Sequence, residues 1–169
     1  MQFRIVNTDG IECGIDEVGE LLIAGPSVIY GYWERPEATE RTLVNGWLHS
    51  GDLATIDPEG YYSIVGRSKD LIISGGFNVY PKEVEKVLLT FDGVEDVAVV
   101  GLPSEEWGEE VVAVVIGDID WMTLKSKVES TLASYKQPKH LLLVEGFPRN
   151  AMGKVQKSKL RELVRSVIL

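Results

Sequence analysis

Cysteine is almost absent from this 169-residue sequence: Cys13 stands alone, so no intramolecular disulfide can form. With only His49 and His140 beside it, a structural zinc site built from cysteine and histidine is out of reach. Nothing in the sequence pairs any of these three residues with a base or a metal, and none is expected to carry chemistry. Long apolar runs are missing too. None approaches the roughly 20 residues that span a bilayer, and the short apolar C-terminal stretch does not change that. The opening Met-Gln-Phe-Arg-Ile-Val-Asn lacks the apolar centre of a signal peptide, so a reducing cytoplasm is the expected setting. Internal repeats and low-complexity tracts do not occur.

What is present is ordinary for a globular chain, 44 % hydrophobic and 25 % charged, which is enough for one generous core or two small ones. The net charge of −9 argues against a nucleic-acid partner. That charge is unevenly spread. Residues 1–66 hold eleven acids against Arg4, Arg35 and Arg41, whereas 136–165 hold eight bases against Glu145 and Glu162. A basic end on an acidic protein suits a phosphate-bearing small ligand, although solvated helix faces would give the same count.

Along the chain, Gln2 to Asn7 alternates like a strand, and Glu20 to Ala24 is a short apolar strand between Gly19 and Gly25-Pro26. Pro36 to Val44 reads as a helix with Pro at its first position, stopped by Asn45-Gly46. Trp47 to Ser50, Leu53 to Asp57 and Tyr61 to Val65 read as three further strands, the last two joined through Asp57-Pro58-Glu59-Gly60. Residues 1–65 are thus expected to be β-rich, and 66–70 a seam. From 71 to 169 the pattern is hairpin, helix, strand, strand, helix, strand, helix. Gly75-Gly76 supplies the hairpin turn, Pro81 opens the first helix with Val84, Val87, Leu88 and Phe91 on one face, and Asp120 caps the second. The final helix should carry a stripe of Leu160, Leu163, Val164 and Val167. The fold class expected is α+β: a small C-terminal domain of hairpin, mixed sheet and flanking helices, preceded by a β-rich piece.

Three stretches invite a chemical reading. In His49-Ser50-Gly51-Asp52 the carboxylate follows a glycine at a strand end, where it can accept hydrogen bonds from vicinal hydroxyls such as those of a ribose. At the seam lies Gly66-Arg67-Ser68-Lys69-Asp70. Near the end, Pro148-Arg149-Asn150-Ala151-Met152-Gly153-Lys154 is a polar loop that offers a lysine as a point charge for phosphate or carboxylate oxygens. It is no P-loop, because its glycine spacing is wrong and no Ser or Thr follows the lysine.

Together, and in this order and spacing, these stretches resemble the adenylate-forming superfamily, which includes AMP-forming acyl-CoA synthetases, luciferases and peptide-synthetase adenylation domains. Gly19-Glu20-Leu21 through Gly31-Tyr32-Trp33 resembles a further signature of that family. The resemblance implies an enzyme that makes an acyl-adenylate from a carboxylate and ATP, then rotates its small domain and forms a thioester with CoA. It implies that Asp52 holds the nucleotide ribose with help from Arg67, that Lys69 is the hinge, and that Asp70 is a linker position. Lys154 would bridge phosphate and carboxylate during adenylation, and is similar to a lysine silenced by acylation in some relatives. Gly75 and Gly76 would lie against the pantetheine arm, with Tyr135 and Lys139 meeting the CoA nucleotide; Gln137 stands where some relatives carry a base. Magnesium would accompany ATP in the parent enzyme without being bound by this portion, and no metal ligands are assigned.

The details most resemble bacterial malonyl-CoA and fatty acyl-CoA ligases. The family's phosphate loop and acyl pocket have no counterpart in these residues, so the chain is expected to be a C-terminal fragment, inactive alone, whose partner is the missing N-terminal domain. Two other readings stand beside it: a non-catalytic module completing a separate large subunit, and an adenylation domain loading a carrier protein.

Overall fold

The computed structural model describes residues 1–168, in two compact units, one of Met1–Lys69 and a second that begins at Asp70. The first unit is a five-stranded antiparallel sheet. Strands β1 (Gln2–Val6), β2 (Gly19–Ala24), β4 (Trp47–Ile56) and β3 (Leu43–Val44) lie in that order, and β5 (Tyr62–Arg67) pairs with β4. Helix α1 covers Pro36–Thr42. Its end corrects the expected helix to Val44: Leu43 and Val44 pair with Leu48 and Trp47, and Asn45 and Gly46 both take positive φ, 51° and 82°. The Asn-Gly pair is therefore a two-residue hairpin turn rather than a helix stop. A second correction concerns β4, expected as two strands. It runs unbroken through Ser50-Gly51, with Gly51 at φ 68° and a register shift between Leu53 and Ala54 absorbing the irregularity. The buried core of this unit is small, centred on Ile5, Leu21 and Ala54.

The second unit contains a mixed sheet. Strands β6 (Ile72–Ser74) and β7 (Phe77–Val79) form the hairpin, with Gly75 and Gly76 at φ 58° and 82°. Strands β8 (Val94–Ser104) and β9 (Gly108–Gly117) are a long antiparallel pair, and β10 (His140–Leu143) joins β9 in parallel. Helices α2 (Pro81–Leu88) and α3 (Trp121–Thr131) cover one face and α4 (Lys157–Ile168) packs on the other. The near-continuous valine run follows from this. Val97, Val99, Val111, Ala113 and Val115 point toward α2 and α3, while the alternating Ala98, Val100, Val112 and Val114 point toward Leu160 and Val164 of α4. The stripe on α4 is narrower than expected, because Leu163 and Val167 remain exposed. Leu160 and Val164 are the buried pair that seats on the sheet, with partly buried Ile168 packed beside them.

Asp120 caps α3 as read from the sequence: its carboxylate accepts the Thr123 N–H at 3.0 Å and the Thr123 hydroxyl at 2.6 Å. Those bonds hold its pKa below the ordinary value of about 4. A depressed folded pKa contributes stability that is present above the unfolded value and is lost as pH falls through the folded one. Acid melts of Asp120→Asn should therefore show a shallower loss of stability below about pH 4 than the parent chain.

Candidate functional site

In the first unit, strand pairing places Asp52 directly opposite Arg67. Arg67 Nε sits 2.9 Å from Asp52 Oδ1, and its Nη1 donates to the Ser50 carbonyl at 3.0 Å. One guanidinium thus holds both the carboxylate and the strand turn that presents it. Among the described residues, Oδ2 of Asp52 has no hydrogen-bond partner, which leaves one oxygen to accept from a ligand hydroxyl.

Behind this pair stands Glu20, whose role the sequence did not reveal. Its Oε2 lies 2.9 Å from His49 Nδ1 and its Oε1 accepts the Gly51 N–H at 3.1 Å. The sequence pointed to no partner for His49, and the structure supplies this carboxylate. The same holds for His140, whose Nε2 is 3.4 Å from Glu110 Oε1. Both contacts join residues far apart in sequence on neighbouring strands, where no local spacing signals them. Cys13 stays a free thiol with a raised pKa, through burial first and then the nearby Glu17 charge.

In the second unit the glycine hairpin meets Trp107. The Gly75 N–H donates to the Trp107 carbonyl at 2.8 Å, and a Cβ on Gly75 would come within 3.0 Å of the indole. Lys139 Nζ lies 4.8 Å from the centroid of that indole, and Tyr135 stacks on Phe77 at 4.7 Å and 26°. So Gly75 and Lys139, chosen from separate stretches, meet at Trp107, and Tyr135 meets Phe77 of the same hairpin. Gly76 has open space around it. Trp107 and Phe77 are the residues that sequence reasoning missed, and both were visible only as unassigned aromatics. Trp121, Lys125, Val128, Glu129, Gln137, Pro138 and Lys139 line a cavity of about 270 Å³. Lys136 pairs with Glu83, which outweighs partial burial and raises the lysine pKa.

The Lys154 loop is stiff at its base and free at its tip. Asn150 Oδ1 accepts from the N–H groups of Met152 and Lys154, both at 3.0 Å, and the Asn150 N–H donates to the Lys154 carbonyl at 2.9 Å. Arg149 donates to the Gly153 carbonyl at 2.8 Å and pairs with Asp96 at 2.7 Å. Gly153 sits at φ 77°. The Lys154 main chain is pinned while its side chain stands exposed, with no ion pair among the described residues. Among those residues, no group of three or more His, Cys, Asp and Glu side chains converges as a metal site would require.

Residues 83–154 match the family described as "AMP-binding enzyme C-terminal domain". The match lies within the second unit and covers less than half of the chain. The matched span includes Tyr135, Lys139 and Lys154 and ends on that last lysine. Among curated proteins, the chain is 44 % identical over 162 residues to a feruloyl-CoA synthase of an Amycolatopsis species, covering 94 % of this chain and 33 % of that protein. It is 47 % identical over 147 residues to the long-chain-fatty-acid–CoA ligase FadD13 of Mycobacterium tuberculosis, covering 85 % and 29 %. Among solved structures, ATP-bound MatB from Rhodopseudomonas palustris superposes with a TM-score of 0.93 at 40 % identity, over 99 % of this chain and 35 % of that one. The chain thus spans about a third of the length of the curated relatives it matches. The chain has the α+β architecture expected from its sequence, hairpin and mixed sheet included.

Proposed function

We propose that this chain is the C-terminal portion of an AMP-forming acyl-CoA synthetase. In that reaction a carboxylate oxygen attacks the α-phosphorus of ATP and diphosphate leaves; the CoA sulfur then attacks the acyl carbon and AMP leaves. The observation that best supports the reading is the glycine hairpin, whose Gly75 lies against Trp107 with Lys139 over that indole, and whose Phe77 stacks on Tyr135. Bare backbone beside an indole suits a slender pantetheine arm, and a stacked ring beside a lysine suits an adenine with its phosphates. The names of the relatives, feruloyl-CoA synthase and long-chain-fatty-acid–CoA ligase, agree with a thioester product.

Within this reading Asp52 accepts from the ribose hydroxyls and Arg67 fixes its carboxylate. Asp52→Asn in the full-length enzyme should raise the KM for ATP about tenfold, the scale of a charge-assisted hydrogen bond. Lys154 supplies positive charge where phosphate and carboxylate meet, and Lys69 is the joint about which the small domain turns. Magnesium would enter with the ATP phosphates and be held outside this portion. The phosphate loop and acyl pocket are assigned to the remainder of the enzyme, in the cytoplasm, and this portion alone is inactive.

A carrier-protein-loading adenylation domain would share the first half-reaction. The two separate when the full-length enzyme is given carboxylate and ATP with either CoA or a pantetheinylated carrier protein. CoA-dependent thioester and AMP formation supports the proposal, and transfer to the carrier alone overturns it.

A further inference from the structure

Helix α4 begins three residues after Lys154 and carries two cations one turn apart, Lys157 and Arg161, each spoken for by a carboxylate. Lys157 Nζ lies 2.7 Å from Glu85 Oε1 and donates to the Val99 carbonyl at 3.1 Å, while the same Glu85 oxygen accepts the Val99 N–H at 2.9 Å. This clamp ties the first turn of α4 to α2 and to the middle of β8. Arg161 Nη2 lies 3.2 Å from Asp70 Oδ1, and the Asp70 side chain is only 17 % exposed. Asp70 is the first residue of the second unit. On the other side of the seam Arg67 is held by Asp52 and the Ser50 carbonyl, all within the first unit. Between these two anchored residues stand Ser68 and Lys69, both exposed and without an ion pair among the described residues.

We propose that Arg161 is a positioning residue for Lys154: by holding Asp70 to α4 it confines the bending of the chain to Ser68 and Lys69 and makes Asp70, α4 and the Lys154 loop one rigid piece. The inference rests on the reading of Lys154 as the adenylation lysine and of Lys69 as the hinge. Its physical warrant is leverage. A lysine delivered by rotation arrives accurately only if nothing gives between the pivot and its own backbone, and a misplacement of about 1 Å can cost on the order of a hundredfold in rate. Lys157 joins α4 to the sheet at one point; Arg161 joins it to the residue that follows the pivot.

The test uses Asp70→Asn, Arg161→Gln and the swapped pair Asp70→Arg with Arg161→Asp, each in the full-length enzyme. Each single variant should lower kcat for adenylate formation about tenfold with the KM for ATP within about twofold, as expected for lost alignment rather than lost binding. The swapped pair should recover to within about threefold of the parent, because this pair, unlike Lys157–Glu85, involves no backbone group. Full rates in the singles, or a swap as slow as the singles, would overturn the proposal. Amide exchange at residues 68–72 of the present chain gives a readout independent of activity. It should speed up in both singles, return in the swap and stay unchanged in Lys154→Ala; unchanged exchange in the singles overturns the clamp. If Lys154→Ala keeps full adenylation, the role of that lysine fails, and the exchange data still judge the ion pair.

Discussion

Lys154→Ala in the full-length enzyme is expected to slow acyl-adenylate formation by about 10²- to 10³-fold, the range seen when one preorganised charge-stabilising group is removed. Thioester formation from supplied acyl-adenylate should stay within about threefold. The asymmetry follows from the chemistry. Negative charge gathers when carboxylate and α-phosphate oxygens are forced together, whereas attack of a thiol on the mixed anhydride needs no cation at that place. The local structure makes alanine a clean deletion. Asn150 and Arg149 hold the loop through main-chain groups of 152–154, so removing an exposed side chain leaves that scaffold intact. Lys154→Arg should recover little, because the planar guanidinium places its charge differently from the compact ammonium. Pyrophosphate exchange and single-turnover transfer, measured on one preparation, check both halves.

Gly117→Ala carries the largest expected effect on stability. The end of β9 approaches the chain entering β8 backbone to backbone: Asp118 N–H donates to the Gly93 carbonyl at 2.8 Å, and a Cβ on Gly117 would fall 2.1 Å from that same carbonyl oxygen. Gly117 also sits at φ 146°, in a region closed to side chains. Strained backbone and overpacking each cost roughly 1–3 kcal/mol, so a loss of about 3–5 kcal/mol is expected. Denaturant melts of the second unit check it. Gly76→Ala is the control, since a Cβ there meets nothing within 4 Å, and it should cost about 1 kcal/mol, the ordinary penalty of a left-handed backbone.

The sequence was most informative where a residue type has one physical use. Gly75-Gly76 demands positive φ, Pro81 suits a first helical position and Asp120 offers a capping oxygen; all three are found in those roles. Reading failed where the same residue type has two uses. Asn45-Gly46 stops a helix as readily as it turns a hairpin, and pairing of Leu43-Val44 with β4 decides for the hairpin. Ser50-Gly51 looks like a break, yet the strand continues through it because Arg67 donates to the Ser50 carbonyl and Glu20 accepts the Gly51 N–H. The hydrophobic stripe of α4 was overdrawn because periodicity shows which residues share a face, not how wide a face the sheet accepts. Long-range partners stayed hidden for a simpler reason. Glu20 with His49, Trp107 with Gly75 and Lys139, and Asp70 with Arg161 meet only through strand register or helix packing. The motif residues themselves were legible because each stretch is short and contiguous; the residues that orient them were not.

One measurement addresses the central claim most directly: nucleotide products of the full-length enzyme with carboxylate and ATP, first without CoA and then with it. The account predicts one diphosphate and one enzyme-bound acyl-adenylate per active site when CoA is withheld, and stoichiometric AMP and acyl-CoA once it is added. Release of ADP, or no diphosphate until CoA is present, would contradict it.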